Sequence, residues 1–220
     1  MNGRRWIRML SLFPALFALL AIPVRAQTPE PEAGPVSAVP IVGQLGSVDR
    51  VVFSPRDGKW LAVADGQAIT LWNVASGHLI ATFGGHGKGI ADVAFSPDAR
   101  YLASTDGEGV LRLWELASSR LIRSFDAEFA HGWASDNAIA FSPDGKRLAV
   151  GYAMWEVESG KQVLQLELDD SVPPRNQVRS SDSEFSPDGR VIAIATGLWQ
   201  VGLWDAQSGR ELLALKGHPI

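Results

Sequence analysis

Cysteine is missing from the sequence, and several motifs typical of chemical sites are missing with it. None of the 220 residues is Cys, which excludes disulfides, a thiol nucleophile and a Cys-ligated metal site. The four His do not have metal-ligand spacing, and neither an H-E-x-x-H nor a G-x-S-x-G motif occurs. No Gly-rich phosphate-binding loop leads from a strand into a helix. We therefore expect no catalytic residue, no bound cofactor and no metal.

The N-terminal segment has the composition of an export signal. Residues 1–26 combine three early Arg with an apolar run and end in Val-Arg-Ala, which predicts a secretory signal peptide cleaved after Ala26. An uncleaved membrane anchor is the alternative, but the run is shorter than the ~20 residues of a spanning helix and contains two Pro. Residues 27–38, rich in Pro, Glu and Ala, are predicted to form a flexible linker.

The charge that remains after cleavage is negative. Without the four Arg of residues 1–26, the chain has 16 basic and 24 acidic side chains, a formal net charge of −8. This excess argues against nucleic acid or an anionic membrane surface as a partner. We expect no stable membrane insertion after cleavage. A signal peptide on a Cys-free chain fits a bacterial periplasm, with secretion beyond it as the alternative.

One turn sequence occurs four times. Phe-Ser-Pro begins at residues 53, 95, 141 and 185, at intervals of 42, 46 and 44 residues. A Trp follows each copy, and a His follows that Trp in every repeat except the third. These repeat positions are Trp72, Trp114, Trp155 and Trp204, with His86, His131 and His218. A repeat of this period indicates one structural unit used several times.

Each unit has the pattern of four short strands. In the second unit, strands are predicted at IADVAF, RYLAST, VLRLWEL and RLIRSF, separated by turns rich in Pro, Gly and Asp. The pattern predicts an antiparallel meander in every unit. The predicted repeats cover about 47–86, 87–131, 132–170 and 178–218.

The ordered combination of FSPDG, LW followed by Asp, Glu or Asn, and GH resembles the WD-repeat β-propeller family over residues 39–218. We identify the chain with a bacterial, exported member whose repeats are degenerate. The resemblance implies an all-β fold of four-stranded antiparallel blades, in which the repeat Trp and His are structural.

Three departures from the family pattern shape our expectations. The family places an Asp six residues before the strand Trp, in a buried network with His, Ser or Thr, and Trp. Gly66, Glu108 and Leu198 stand there, so we expect few or no complete networks. The third repeat is five residues short, so its middle hairpin must be compressed or missing. In the fourth repeat Ser183 replaces an aliphatic residue, so that strand is expected to face water or a partner.

The four repeats predict an incomplete ring. The segment 38–47 resembles a spare fourth strand, although the last repeat already has its own. Three arrangements remain open: part of a longer propeller of about six to eight blades, two chains that self-associate to complete one ring, and a strained four-blade ring or open arc.

Two Trp that break the repeat pattern, one in a long connection between blades and one in a turn, belong to the candidate partner site. Trp133, Asp136, Trp199 and Gln200 lie in connections that reach one rim of such a fold, and exposed aromatics often anchor protein partners. Local packing of the two Trp is the alternative.

The resemblance implies a non-enzymatic scaffold that binds a protein or peptide in the cell envelope. One alternative is a fragment of a quinoprotein-like periplasmic enzyme. Its repeat Trp would correspond to Phe83, Phe125, Leu166 and Leu215 here, which disfavours it. Another alternative is the sensor part of a longer protein.

Overall fold

The computed structural model describes residues 48–126, 138–167, 180–196 and 200–216. All of them belong to the compact unit Ala38–Ile220. The predicted signal peptide, cleavage site, linker and spare strand lie outside the described residues. Within the described ranges, no helix is long and apolar enough to cross a membrane.

The described chain forms four antiparallel sheets of four strands, which we call blades 1 to 4. In each blade the strands are hydrogen-bonded in chain order. Blade 1 consists of β1 (Val48–Phe53), β2 (Trp60–Asp65), β3 (Ala68–Asn73) and β4 (Leu79–Phe83). Blade 2 consists of β5 (Ile90–Phe95), β6 (Tyr101–Asp106), β7 (Val110–Glu115) and β8 (Arg120–Asp126). Blade 3 consists of β9 (Ile139–Phe141), β10 (Arg147–Val150), β11 (Ala153–Glu156) and β12 (Gln162–Gln165). Blade 4 consists of β13 (Ser180–Phe185), β14 (Val191–Thr196), β15 (Gln200–Asp205) and β16 (Glu211–Lys216). The predicted all-β propeller blades are confirmed.

The repeated Phe-Ser-Pro turn is held by its own Ser and Asp. In blade 3, the Ser142 hydroxyl donates to Asp144 Oδ1 at 2.6 Å, and the same carboxylate oxygen accepts the Lys146 backbone N–H at 3.0 Å. The Ser142 oxygen in turn accepts the Arg147 N–H at 2.9 Å. Gly145 has φ 70°, a left-handed conformation that Gly adopts without a Cβ penalty. Blades 2 and 4 repeat the Ser–Asp bond at 2.7 and 2.6 Å. The sequence recurs because it closes the same hairpin in each blade.

The two faces of each blade have different neighbours. We call the face that packs on the next blade the leading face, and the face that packs on the preceding blade the trailing face. Between blades 1 and 2, the leading face presents Ala62, Ala64, Ile69, Leu71 and Phe83, and the trailing face presents Val93, Phe95, Leu102, Trp114 and Leu116. Two further apolar cores join blade 2 to blade 3 and blade 3 to blade 4. Burial of these alternating residues stabilises the stack, because a single sheet cannot bury both of its faces.

The blades follow one another through their first strands. β1 contacts β5, β5 contacts β9, and β9 contacts β13. Among the described strands, no comparable contact joins β13 to β1. The four described blades therefore form an open stack. The incomplete ring that the repeat count predicted is confirmed.

Blade 3 has a compressed middle hairpin. Val150 pairs with Ala153, so only Gly151 and Tyr152 form the turn, and Gly151 has φ 55°. The hairpin is shortened but not lost. Tyr152 packs edge-on against Trp204 of blade 4, with ring centroids 5.8 Å apart.

The first strand of blade 4 does not face water at Ser183. β13 contacts β9 of blade 3, and Ser183 Oγ is buried with no hydrogen-bond partner among the described residues. The polar residue that suggested exposure sits instead in an interface between blades, where an unsatisfied hydroxyl costs stability.

Candidate functional site

Most of the predicted partner surface lies outside the described residues. Trp133, Asp136 and Trp199 are in this position. The structural repeat residues His131 and His218 also lie outside the described residues. Gln200 is described: it is half-buried at the start of β15, paired with Thr196 and Lys216 in the neighbouring strands. The grouping of these four residues in one contact surface therefore stays a prediction.

A buried hydrogen-bond network lies in blade 2. His86 Nδ1 is 2.9 Å from Asp106 Oδ2, and His86 Nε2 is 2.7 Å from Ser104 Oγ. Trp114 Nε1–H donates to the same Ser104 oxygen at 2.9 Å. The second Asp106 oxygen accepts the backbone N–H groups of Glu108 and Val110, both at 3.0 Å. The network thus joins the connection that enters blade 2 to its middle hairpin.

The donors and acceptors match when His86 is neutral. The Asp106 carboxylate accepts the Nδ1–H, which leaves Nε2 to accept the Ser104 hydroxyl, and the Ser104 oxygen then accepts from Trp114. Burial lowers the pKa of His86 below its usual value, although the hydrogen bond to Asp106 opposes this shift. The network therefore favours the uncharged imidazole. Its role is structural, because it fixes the connection that enters blade 2 to the middle hairpin of that blade.

This network corrects one sequence expectation. The residue six positions before Trp114 is Glu108, which is exposed, and Asp106 takes the expected role instead. A fixed count from the Trp fails because the length of the middle turn varies. The Asp-Gly pair that ends the second strand was the signal that could have located Asp106.

The other repeat Trp find different partners. Trp72 Nε1–H donates to Thr70 Oγ1 at 2.9 Å in its own blade. Trp204 Nε1–H donates across the interface to the Glu167 carbonyl oxygen at 2.7 Å. Trp155 packs at a tilt on Phe125 of blade 2, with ring centroids 5.5 Å apart. Trp155 and Trp204 thus join neighbouring blades, whereas Trp72 bonds within its own strand.

Gly202 makes room for the Trp204 ring. A Cβ atom added to Gly202 would lie 2.1 Å from the Trp204 Cη2 atom, far inside van der Waals contact. The small residue lets the indole lie flat along its own strand and reach blade 3. Sequence reasoning missed this role, because it depends on which acceptor the neighbouring blade offers.

A groove separates the repeated turns of blades 3 and 4. It has a volume of about 820 Å³ and is lined by charged side chains of both signs and by a few apolar residues. Arg147 crosses it and donates from Nη1 to the Ala206 carbonyl oxygen of blade 4 at 2.8 Å. Lys146 and Arg190 are exposed at its edge. This groove opens at the end of the blades opposite to Gln200, because the two connections lie at opposite ends of their strands.

Three carboxylates of the groove are hydrogen-bonded within their own turns. The hydroxyl of Ser142 holds the pKa of Asp144 below its usual range, and the Ser186 hydroxyl does the same for the pKa of Asp188. The Ser208 hydroxyl lowers the pKa of Asp205. A general acid needs a pKa near the working pH, so these groups are placed as turn formers and fixed charges. Within the described ranges, no group of His, Asp and Glu could hold a metal ion.

Three of the four positions relevant to the enzyme alternative lie in the cores between blades. Phe83, Phe125 and Leu166 are buried at the ends of fourth strands. The equivalent residue of blade 4, Leu215, is exposed.

The chain is similar to known WD-repeat proteins. Residues 77–115 match the family model described as WD domain, G-beta repeat, and this segment contains the whole blade 2 network. Relatives include transcription initiation factor TFIID subunit 5 of Caenorhabditis elegans, 34% identical over 110 residues, which are 50% of this chain and 16% of that protein. An uncharacterized WD repeat-containing protein of Synechocystis is 33% identical over 96 residues, 43% of this chain and 26% of that protein. Eukaryotic translation initiation factor 3 subunit I of Aspergillus fumigatus is 31% identical over 107 residues, 48% of this chain and 30% of that protein. The chain therefore carries WD-repeat sequence, and its matched part spans less than a third of each of these relatives.

Proposed function

We propose that this chain is a non-catalytic protein-interaction scaffold that binds a protein or peptide partner in a bacterial cell envelope. The observation that carries this proposal is the WD-repeat match over residues 77–115, which contain the blade 2 network, within a stack of four four-stranded blades. Two of the similar proteins, TFIID subunit 5 and translation initiation factor 3 subunit I, are by name subunits of larger assemblies. A rigid stack that exposes turns at both ends of its strands suits the same kind of role here.

We place the partner contact at the end of the blades where Gln200 begins β15. Trp133, Asp136 and Trp199 belong to connections at that end by their order in the sequence. Aromatic anchors supply most of the binding energy in many interfaces, because they bury a large area at little entropic cost. The charged groove at the opposite end of the blades provides a matched comparison surface.

The test is partner capture by paired variants. The chain with Trp133→Ala and Trp199→Ala should lose its cross-linked partner from the envelope fraction while its melting temperature stays unchanged. The control chain with Lys146→Ala and Arg190→Ala, altered at the opposite end, should retain the partner. Loss of capture together with a lower melting temperature in the Trp variant would assign both Trp to local packing. Loss in the control alone would move the contact to the groove.

We propose export as the second part of the function. It rests on the Arg-flanked apolar run and the small-residue site before Gln27. Osmotic-shock fractionation should release the protein with the periplasmic contents, and its N-terminal sequence should begin at Gln27. Recovery of the protein in the cytoplasm with residues 1–26 still attached would contradict export. The proposed scaffold role does not depend on this result.

A further inference from the structure

The two outer faces of the blade stack are apolar and open. On the trailing face of blade 1, Phe53 is 60% exposed, whereas Phe95 at the same position of blade 2 is 8% exposed. On the leading face of blade 4, Leu215 is 49% exposed, whereas Phe83 at the same position of blade 1 is 1% exposed. Val51 on blade 1 and Leu213 on blade 4 are also exposed, and Leu203 on blade 4 is half-buried. Val63, which pairs with Val51, is the buried residue of the blade 1 face.

The open leading face of blade 4 has the strand pairing of a face that is buried elsewhere. Val201 pairs with Leu215 as Ile69 pairs with Phe83, and Ile69 is fully buried under blade 2. The open trailing face of blade 1 likewise pairs Phe53 with Leu61, as blade 2 pairs Phe95 with Leu102. The chain thus presents both halves of an interface that it already forms three times internally.

An aspartate on the leading side of the first strand provides a hydrogen bond between blades, in addition to the apolar contacts. In blade 2, Asp92 Oδ1 accepts the N–H of Val93, and its Oδ2 accepts the N–H of Ile139 in blade 3, both at 2.9 Å. In blade 4, Asp182 Oδ1 accepts the N–H of Ser183 at the same 2.9 Å. Asp182 is exposed, so a following blade could donate a backbone N–H to it. By repeat position that donor is the N–H of Val51.

We propose that a second copy of this chain covers both open faces, in a head-to-tail pair of eight blades. The leading face of blade 4 in each copy packs on the trailing face of blade 1 in the other, and Asp182 accepts the Val51 N–H across each junction. The two junctions are identical and continue the packing of the three internal ones. A head-to-tail contact closes into a ring when its rotation fits, and eight blades lie within the range that propellers adopt.

The test is the solution mass of the full mature chain by light scattering after size exclusion. The native chain should run as a dimer. Phe53→Glu and Leu215→Glu, which place a charge on one open face each, should each raise the dimer dissociation constant by roughly a hundredfold or more. Both side chains are exposed in the single copy, so the circular dichroism spectrum and the melting temperature of the monomer should not change. The matched control is Leu121→Glu, which places the same charge on a side chain of the outer strand β8 that is 43% exposed, and it should leave the dimer intact.

Mixing the two single variants tests the head-to-tail geometry. A Phe53→Glu copy retains its native blade 4 face, and a Leu215→Glu copy retains its native blade 1 face. Only in the mixture can these two native faces pack on each other and form one unaltered junction. The mixture should therefore recover a heterodimer that neither variant forms alone. Asp182→Asn should weaken the native dimer by about tenfold or more, because each junction loses a charge-assisted hydrogen bond.

Three results would overturn the proposal. The native chain could be a monomer at every concentration up to the millimolar range. Leu215→Glu could abolish pairing while Phe53→Glu does not, which would indicate that two blade 4 faces meet. A cellular product much heavier than 23.7 kDa, with blade repeats in its additional sequence, would show that further blades of the same chain occupy the open faces.

Discussion

Ser104 is the central acceptor and donor of the blade 2 network, and its replacement by Ala isolates the network's contribution to stability. The Ser104→Ala change removes a single oxygen atom from a fully buried position. It leaves Trp114 Nε1–H without its acceptor and His86 Nε2 without its donor. The His86–Asp106 contact is not altered directly.

The expected loss follows from the two groups that become unsatisfied. A buried donor or acceptor that loses its partner costs about 1–3 kcal/mol, so two such groups cost about 2–6 kcal/mol. A domain of this size has a free energy of unfolding of only about 5–15 kcal/mol. The substitution should therefore remove a large part of the total stability, although the side chain that is lost is small.

Urea unfolding followed by Trp fluorescence measures this loss. Ser118→Ala is the matched control, because Ser118 is exposed and its hydroxyl donates to the Glu115 carboxylate at the surface; its cost should stay below about 0.5 kcal/mol. Ser104→Thr retains a hydroxyl and should recover most of the lost stability. Neutral surface substitutions change the free energy of unfolding by up to about 0.5 kcal/mol. If Ser104→Ala stays within that range of the native value, the network does not stabilise blade 2 and our assignment of its hydrogen bonds is wrong.

Three further predictions concern other parts of the stack. Ser183→Ala should raise the free energy of unfolding by about 1 kcal/mol, because it removes a buried hydroxyl without a partner among the described residues; a lower urea midpoint would contradict this. Gly202→Ala should lower it by about 2 kcal/mol through the clash with Trp204, whereas Gly84→Ala, with open space around its Cβ, should be nearly neutral. The pKa of His86 is lowered in the folded chain, so folding favours the deprotonated form. The stability that His86 provides is complete above its usual pKa of 6.5 and falls as the pH drops below it. A His86→Gln chain should lack that pH-dependent loss in unfolding measured on both sides of this pKa, and an identical pH profile in both chains would show that His86 does not titrate with folding.

The blades could be predicted from the sequence because their signals are local. The Phe-Ser-Pro turn and the alternating apolar residues after it mark each hairpin within a few residues. In the second repeat, the predicted strands match β5 to β8 closely at each end. Such features depend on nearest neighbours in the chain, and the same physical rules act in every copy.

The features that the sequence did not predict depend on residues in another strand or blade. Counting from Trp114 put Glu108 at the family's Asp position and predicted few or no complete networks, but the turn geometry places Asp106 opposite His86. Trp204 takes its acceptor from blade 3, and the hydroxyl oxygen of Ser183 is buried in a strand that contacts blade 3, which its own repeat does not reveal. Distances across an interface are set by packing, so counting along one repeat cannot give them.

The self-contained turns also bear on how the chain folds and how such chains grow. Every Ser–Asp hydrogen bond of the repeated turn joins residues two or three positions apart. Each sheet pairs only strands that follow one another in the chain. Low sequence separation favours rapid formation of each hairpin, so the hairpins of one blade can form independently of those of the others, and packing on a neighbouring blade then buries their apolar faces. The same independence means that a gene segment encoding one blade can be duplicated, and the new copy arrives with its closing turn and both of its packing faces already encoded.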